Sequence, residues 1–155
     1  KLNNYYSLLS VKNLLKGELI ILFSDILVNQ KILKNLFKIK KDICFVIDKN
    51  KKLKDTMRVI LKKNKIVDVG SHIDPKFANG NFIGIAKYSA VGSKILNKSL
   101  NEDKSNFKKY YVRALDKAMK KNKVDYLDVN KNFWIEIDNE KDLKKLKFVN
   151  KKLLI

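Results

Sequence analysis

Trp134, Glu136 and Asp138 alternate along the run Asn132-Phe133-Trp134-Ile135-Glu136-Ile137-Asp138. Side chains on an extended strand repeat every second residue, so this spacing puts one indole and two carboxylates on a shared face. Phe133, Ile135 and Ile137 take the opposite, apolar face, which should point into a core. A helix start follows, with Asn139 as its cap and Asp142 three residues on as a capping-box carboxylate. The polar face therefore ends at the mouth of a sheet, where open α/β folds bind ligands. The same alternation also describes an edge strand with a wet side. A further carboxylate, Asp25, closes the run Glu18-Leu19-Ile20-Ile21-Leu22-Phe23-Ser24-Asp25. At the end of a buried parallel strand it would suit a metal or phosphate site; as a loop residue it would serve as a cap.

The other reactive side chains point elsewhere. Cys44, the single cysteine, sits inside the apolar run Ile43-Cys44-Phe45-Val46-Ile47 and reads as a buried structural thiol. His72 lies in a polar loop with no Cys or His nearby and reads as a surface residue.

The elements that must position these groups alternate along the chain. Asn4 caps an expected helix over Tyr5–Lys16, ended by Gly17. Leu19–Phe23 reads as a strand buried on both faces. Ile32, Leu33, Leu36 and Phe37 give a helix over Asn29–Lys40, and Ile43–Ile47 a second buried strand. Residues 57–61 and 65–69 flank Lys62-Lys63-Asn64 as a hairpin. A strand over residues 79–89 is interrupted by Gly84, a glycine that would let a ligand or a backbone come close. Ser89 caps a helix over Ala90–Leu100, and Tyr110, Tyr111, Ala114, Leu115, Ala118 and Met119 mark an amphipathic helix starting at Phe107. Val124–Val129 and the Trp134 run are the last strands, before a helix over Glu140–Phe148 and a Lys-rich tail. Short loops between alternating helices and strands argue an α/β three-layer domain with a mostly parallel or mixed sheet and an inserted hairpin.

The chain has 155 residues, 45% of them hydrophobic, enough for one domain with a real core. Its formal net charge is +19, a field that attracts phosphate-bearing small molecules. Nearly all of it is lysine, with arginine only at Arg58 and Arg113. Base and phosphate recognition favours the planar fork of arginine, so no specific nucleic-acid partner is expected. The longest apolar run, Leu19–Phe23, is far too short to span a bilayer, which argues against membrane insertion. With no visible signal peptide, a cytoplasmic location is expected.

Four segments in order then resemble the sugar-phosphate and phosphocholine-type nucleotidyltransferase family, most closely its phosphocholine or phosphonate cytidylyltransferase branch. They are Asn3-Asn4-Tyr5-Tyr6-Ser7-Leu8, Leu22-Phe23-Ser24-Asp25, Asn79-Gly80-Asn81-Phe82-Ile83-Gly84-Ile85-Ala86-Lys87 and Trp134-Ile135-Glu136-Ile137-Asp138. Tyr110-Tyr111 with Ala114-Leu115 fits the helix before the last strands. The resemblance implies a three-layer, Rossmann-like nucleotidyltransferase fold lacking the N-terminal unit whose Gly-rich loop cradles the triphosphate. Residues 1–149 would be the C-terminal portion of one such domain and residues 150–155 a tail.

The resemblance also implies the chemistry. Asp25 and Asp138 would hold one Mg²⁺ and form the catalytic pair. Asn4 and Ser7 would lie near the nucleotide. Gly84, Trp134, Glu136, Tyr110 and Tyr111 would face the acceptor, with Glu136 either touching it or supporting the metal. The reaction implied moves a nucleoside monophosphate, CMP from CTP, onto a phosphorylated small molecule such as phosphocholine and releases pyrophosphate. Aromatic faces suit a quaternary ammonium, although at least one of the two tyrosines is expected in the core. Sugar-phosphate and aminoethylphosphonate-like acceptors are the alternatives, as is a truncated, non-catalytic relative that only binds. A shortened sheet would expose an apolar edge, so such a fragment is expected to aggregate or to form a homodimer.

Overall fold

A short helix, α1 (Asn4–Ser10), opens the computed structural model, which describes residues 4–50, 56–102 and 110–146. The helix expected as far as Lys16 breaks early into a 3₁₀ turn, Lys12–Leu14. Val11 is 41% exposed, so the apolar stripe expected through Leu8, Val11 and Leu15 does not continue through it. Gly17, at φ +70°, then turns the chain into β1 (Leu19–Leu22).

A tight turn through Ser24 and Asp25, closed by the Ile26 amide on the Phe23 carbonyl, leads into β2 (Ile26–Val28). Asn29 caps α2 (Gln30–Lys38) by accepting from the Lys31 amide at 2.8 Å. β3 (Ile43–Asp48) is buried at every position. β4 (Arg58–Lys62) and β5 (Lys65–Gly70) form the expected hairpin. Its two turn residues, Lys63 and Asn64, both have positive φ, the twist a two-residue hairpin turn needs. β6 (Gly80–Tyr88) runs through the centre, again wholly buried.

Ser89 starts α3 (Ala90–Glu102) as expected: its hydroxyl oxygen accepts from the Val91 and Gly92 amides. The amphipathic segment that follows is a 3₁₀ turn, Tyr111–Leu115, continuing as α4 (Asp116–Lys120). Its expected start at Phe107 lies outside the described residues, as do Asn3, Phe148 and the tail. β7 (Asp125–Asp128), β8 (Trp134–Glu136) and α5 (Glu140–Leu146) complete the chain.

The main sheet runs β5-β4-β6-β3-β7, with β1 pairing the same edge of β6 as β4, further along it. It is mixed: β3 and β7 are parallel, and the other pairs are antiparallel. β1 is therefore an antiparallel neighbour of β6 with partly buried side chains, and the fully buried parallel strand expected there does not form. An apolar run of four fits either environment, and only the pairing decides.

Alternation along β3 divides the core. Ile43, Phe45 and Ile47 face a cluster shared with Tyr5, Leu96, Tyr111 and Leu115, under α1, α3 and α4. Cys44 and Val46 face a second cluster with Ile32 and Leu36 of α2 and Trp134 of β8. Helices thus cover both faces of the sheet, the three layers expected. Among the described residues no helix is long and apolar enough to cross a membrane.

Candidate functional site

β2 and β8 pair only with each other among the described strands, as a narrow antiparallel ribbon beside the main sheet. Ile26 lies opposite Glu136 in this ribbon, and the Ile137 amide donates to the Asp25 carbonyl at 2.9 Å. The turn that leaves β1 therefore ends against the end of β8. One oxygen each of Asp25, Glu136 and Asp138 lies within 4.8 Å of the others. The two aspartates expected to meet do so, although 113 positions separate them in the sequence (138 − 25).

Beyond the ribbon the chain enters α5 at Glu140, directly after Asp138 and Asn139. Asn139 accepts from the Lys141 amide at 2.9 Å, and its side-chain amide donates to Asp142 at 2.8 Å. This is the expected cap, with Asp142 bonded to the cap side chain.

The carboxylates line a cavity of about 510 Å³, together with Asn4, Ser7, Phe23, Tyr110 and Tyr111. No lysine or arginine is among the described residues lining it, although 35 of the chain's 155 residues are basic. Burial, then the charges of Asp138, Asp25 and Asp142, raise the Glu136 carboxyl above its ordinary range. Three hard oxygen donors carrying mutual repulsion, with no lysine or arginine among the described lining residues, make a donor set that fits a divalent ion such as Mg²⁺.

The other expected site residues divide. Asn4 and Ser7 line the cavity. The Asn4 side chain accepts from the Tyr111 amide at 2.8 Å, so it fastens α1 to a segment that lines the cavity. Tyr110 is 39% exposed at the mouth. Tyr111 is 1% exposed, and its buried phenol is pushed well above the usual range; it is the tyrosine that belongs to the core.

Trp134 and Gly84 are not among the residues that line the cavity. Trp134 is 4% exposed and packs in the second core, with its indole N–H donating to Asp48 at 2.6 Å. A ribbon lying against the sheet buries one side chain on its nominally polar face, and the indole, which found a buried acceptor there, is the one taken in. Gly84, at φ +81°, makes room for a side chain of the protein itself. A Cβ there would come within 2.7 Å of the Phe23 ring. That ring packs edge-on against Phe82 and Tyr111 at the base of the cavity.

The sequence matches no family model and no curated protein. Solved structures do match. The inositol-1-phosphate CTP transferase from T. maritima superposes with a TM-score of 0.68 at 21% identity, over 99% of this chain and 60% of its own. The CTP:phosphocholine cytidylyltransferase from Streptococcus pneumoniae gives 0.70 at 18% identity, over 95% and 63%. The chain has the nucleotidyltransferase fold. A Bacillus anthracis structure named as a glucose-1-phosphate thymidylyltransferase shares that fold with a TM-score of 0.74 at 12% identity, over 94% and 61%. The chain spans about three-fifths of the length of these nucleotidyltransferase-fold structures.

Proposed function

We propose that this chain is the C-terminal portion of a Mg²⁺-dependent nucleotidyltransferase domain, transferring CMP from CTP to a phosphorylated small molecule such as phosphocholine and releasing pyrophosphate. The observation that carries this reading is the meeting of Asp25, Glu136 and Asp138 within 4.8 Å at the wall of a cavity in this fold. Bound there, Mg²⁺ would supply the positive charge that triphosphate and acceptor phosphate both require.

The chain's own residues supply placement. Asp25 and Asp138 would hold the ion from the two strands at one end of the ribbon, with Glu136 beside them. Asn4 and Ser7 offer polar groups to the nucleotide from α1. An acceptor phosphate oxygen bonds to the α-phosphorus as the bond to the departing pyrophosphate breaks, so no protein nucleophile is needed. The rest is orientation and electrostatics.

Two features favour an acceptor with a quaternary ammonium. Among the described residues the lining carries carboxylates without lysine or arginine, and Tyr110 presents a partly exposed ring to it. A sugar-phosphate acceptor would have to rely on Asn4, Ser7 and the carboxylates as hydroxyl partners.

The test is pyrophosphate release by the complete gene product from CTP with phosphocholine, aminoethylphosphonate or a sugar 1-phosphate, paired with calorimetric binding of Mg²⁺ or Mn²⁺ to this chain. Metal binding abolished by Asp25→Asn and Asp138→Asn, with release on phosphocholine, is expected. Folded protein that neither binds a divalent ion nor releases pyrophosphate with any pair overturns the reading.

A further inference from the structure

Asp48 is the one buried carboxylate among the described residues, 3% exposed at the end of β3. It lies outside the cavity lining. A buried acid costs desolvation energy that hydrogen bonds must offset. Its two oxygens accept from the Asn50 amide at 2.8 Å and from the Trp134 indole N–H at 2.6 Å. The indole bond is short, charge-assisted and shielded from water on both sides, the circumstances in which such bonds are strongest.

Trp134 opens β8, two residues before Glu136 and four before Asp138. The ribbon it belongs to has three residues per strand and no strand partner in the main sheet among the described elements. A two-stranded ribbon that short does not hold its own position. Its register is set internally, by Ile26 opposite Glu136 and Val28 opposite Trp134. Its place over the main sheet has to come from outside. Packing of Trp134 against Ile32, Leu36 and Val46 supplies contact, which a ring can satisfy in more than one orientation. Ile26 and Val28 pack on the same cluster, and the bond to Asp48 adds a directional contact.

We infer that Asp48 is a positioning residue for the carboxylate site: through Trp134 it fixes the β2–β8 ribbon on β3 and so aims Glu136 and Asp138 into the cavity. This rests on the metal site of the proposed function, and the experiment keeps the two separable.

Mn²⁺ affinity of the chain is measured for the native protein and for Asp48→Ala, Asp48→Asn and Trp134→Phe. Amide hydrogen exchange at Ile137 is followed in the metal-free state. Val59→Ala, a truncation in the other core cluster, controls for general loss of stability. Asp48→Ala and Trp134→Phe are each expected to weaken Mn²⁺ binding about tenfold, the scale of losing a group that orients a ligand. The double variant should be no worse than either single one. Asp48→Asn, which keeps an acceptor oxygen for the indole, should restore most of the affinity.

Ile137 exchange should speed up in Asp48→Ala and Trp134→Phe relative to the β3 and β6 amides. Val59→Ala should lower Tm while leaving both readouts unchanged. Native Mn²⁺ affinity and native Ile137 exchange in Asp48→Ala would overturn the inference. If the native chain binds no Mn²⁺, the metal-site reading fails, and the exchange data alone decide the positioning role.

Discussion

The Ile137 amide donates to the carbonyl oxygen of Asp25 at 2.9 Å. This one backbone bond closes the ribbon next to the carboxylates, and it fixes Asp25 against the strand that carries Glu136. The main-chain atoms thus set the spacing of the acids, and the side chains only have to turn inward. That arrangement makes the roles of the three acids separable by substitution.

Asp25→Asn or Asp138→Asn should lower kcat/KM for pyrophosphate release by about 100- to 1,000-fold, the scale of losing one preorganised electrostatic partner of a transition state. Thermal stability of the metal-free chain should hold or rise, because each change removes like-charge repulsion. Steady-state kinetics beside a melting curve check both halves. Near-native turnover in either variant would remove that aspartate from the mechanism.

Glu136 gives the chain a pH dependence of definite sign. Its carboxyl is held above the ordinary 4.5 by burial and by Asp138, Asp25 and Asp142. The folded chain therefore keeps this proton to higher pH than the unfolded chain does. Stability of the metal-free protein should fall as pH rises through the window above 4.5, and level off once the folded-state value is passed. Divalent ions compete with the proton, so their affinity should rise across that same window. Glu136→Gln should flatten both curves and raise the metal-free Tm at pH 7. Denaturation and calorimetry from pH 4 to 8 read this directly (pH values being roughly those over which carboxyls titrate).

Gly84→Ala should destabilise the fold by about 2 kcal/mol, from a left-handed backbone made to carry a side chain and from contact with the Phe23 ring. In a Phe23→Ala background the steric part should vanish, leaving the smaller backbone part. Urea unfolding of the four proteins in this cycle measures the coupling. Additive effects would show that Phe23 is not what Gly84 accommodates.

Cys44 should be inert in the native state. It is fully buried, and burial, with the nearby charge of Asp125 adding to it, pushes the thiol up to about 12. Labelling by a thiol reagent at pH 8 should proceed only as fast as the chain unfolds; rapid labelling of folded protein would contradict the packing of β3 (the pH being roughly where a free thiol is half ionised).

Much of this was legible in the chain. The hairpin about Lys62-Lys63-Asn64, the caps at Ser89 and Asn139, and the buried run at Ile43–Ile47 are local signals, written in residues that meet within a few positions. The meeting of Asp25 with Asp138 is long-range, and it was reached only through the resemblance of the motifs around them. The environment of Trp134 was misjudged for a physical reason. Alternation assigns faces but cannot say that a buried acid at position 48 waits on the polar one. Gly84 was read as room for a ligand or a backbone because the ring that fills the space, Phe23, follows a strand more than fifty residues earlier. β1 was read as interior because the apolar run Leu19–Phe23 does not announce which edge it pairs.

Because Asp25, Glu136 and Asp138 all ride on one slender arm, their mutual spacing and their height above Asn4 and Tyr110 are set by different contacts. A shift of that arm would carry the three acids together, their spacing kept by the Ile137–Asp25 backbone bond. Structures with and without a bound cation should then keep the distances among the acids and differ in how far they stand from α1.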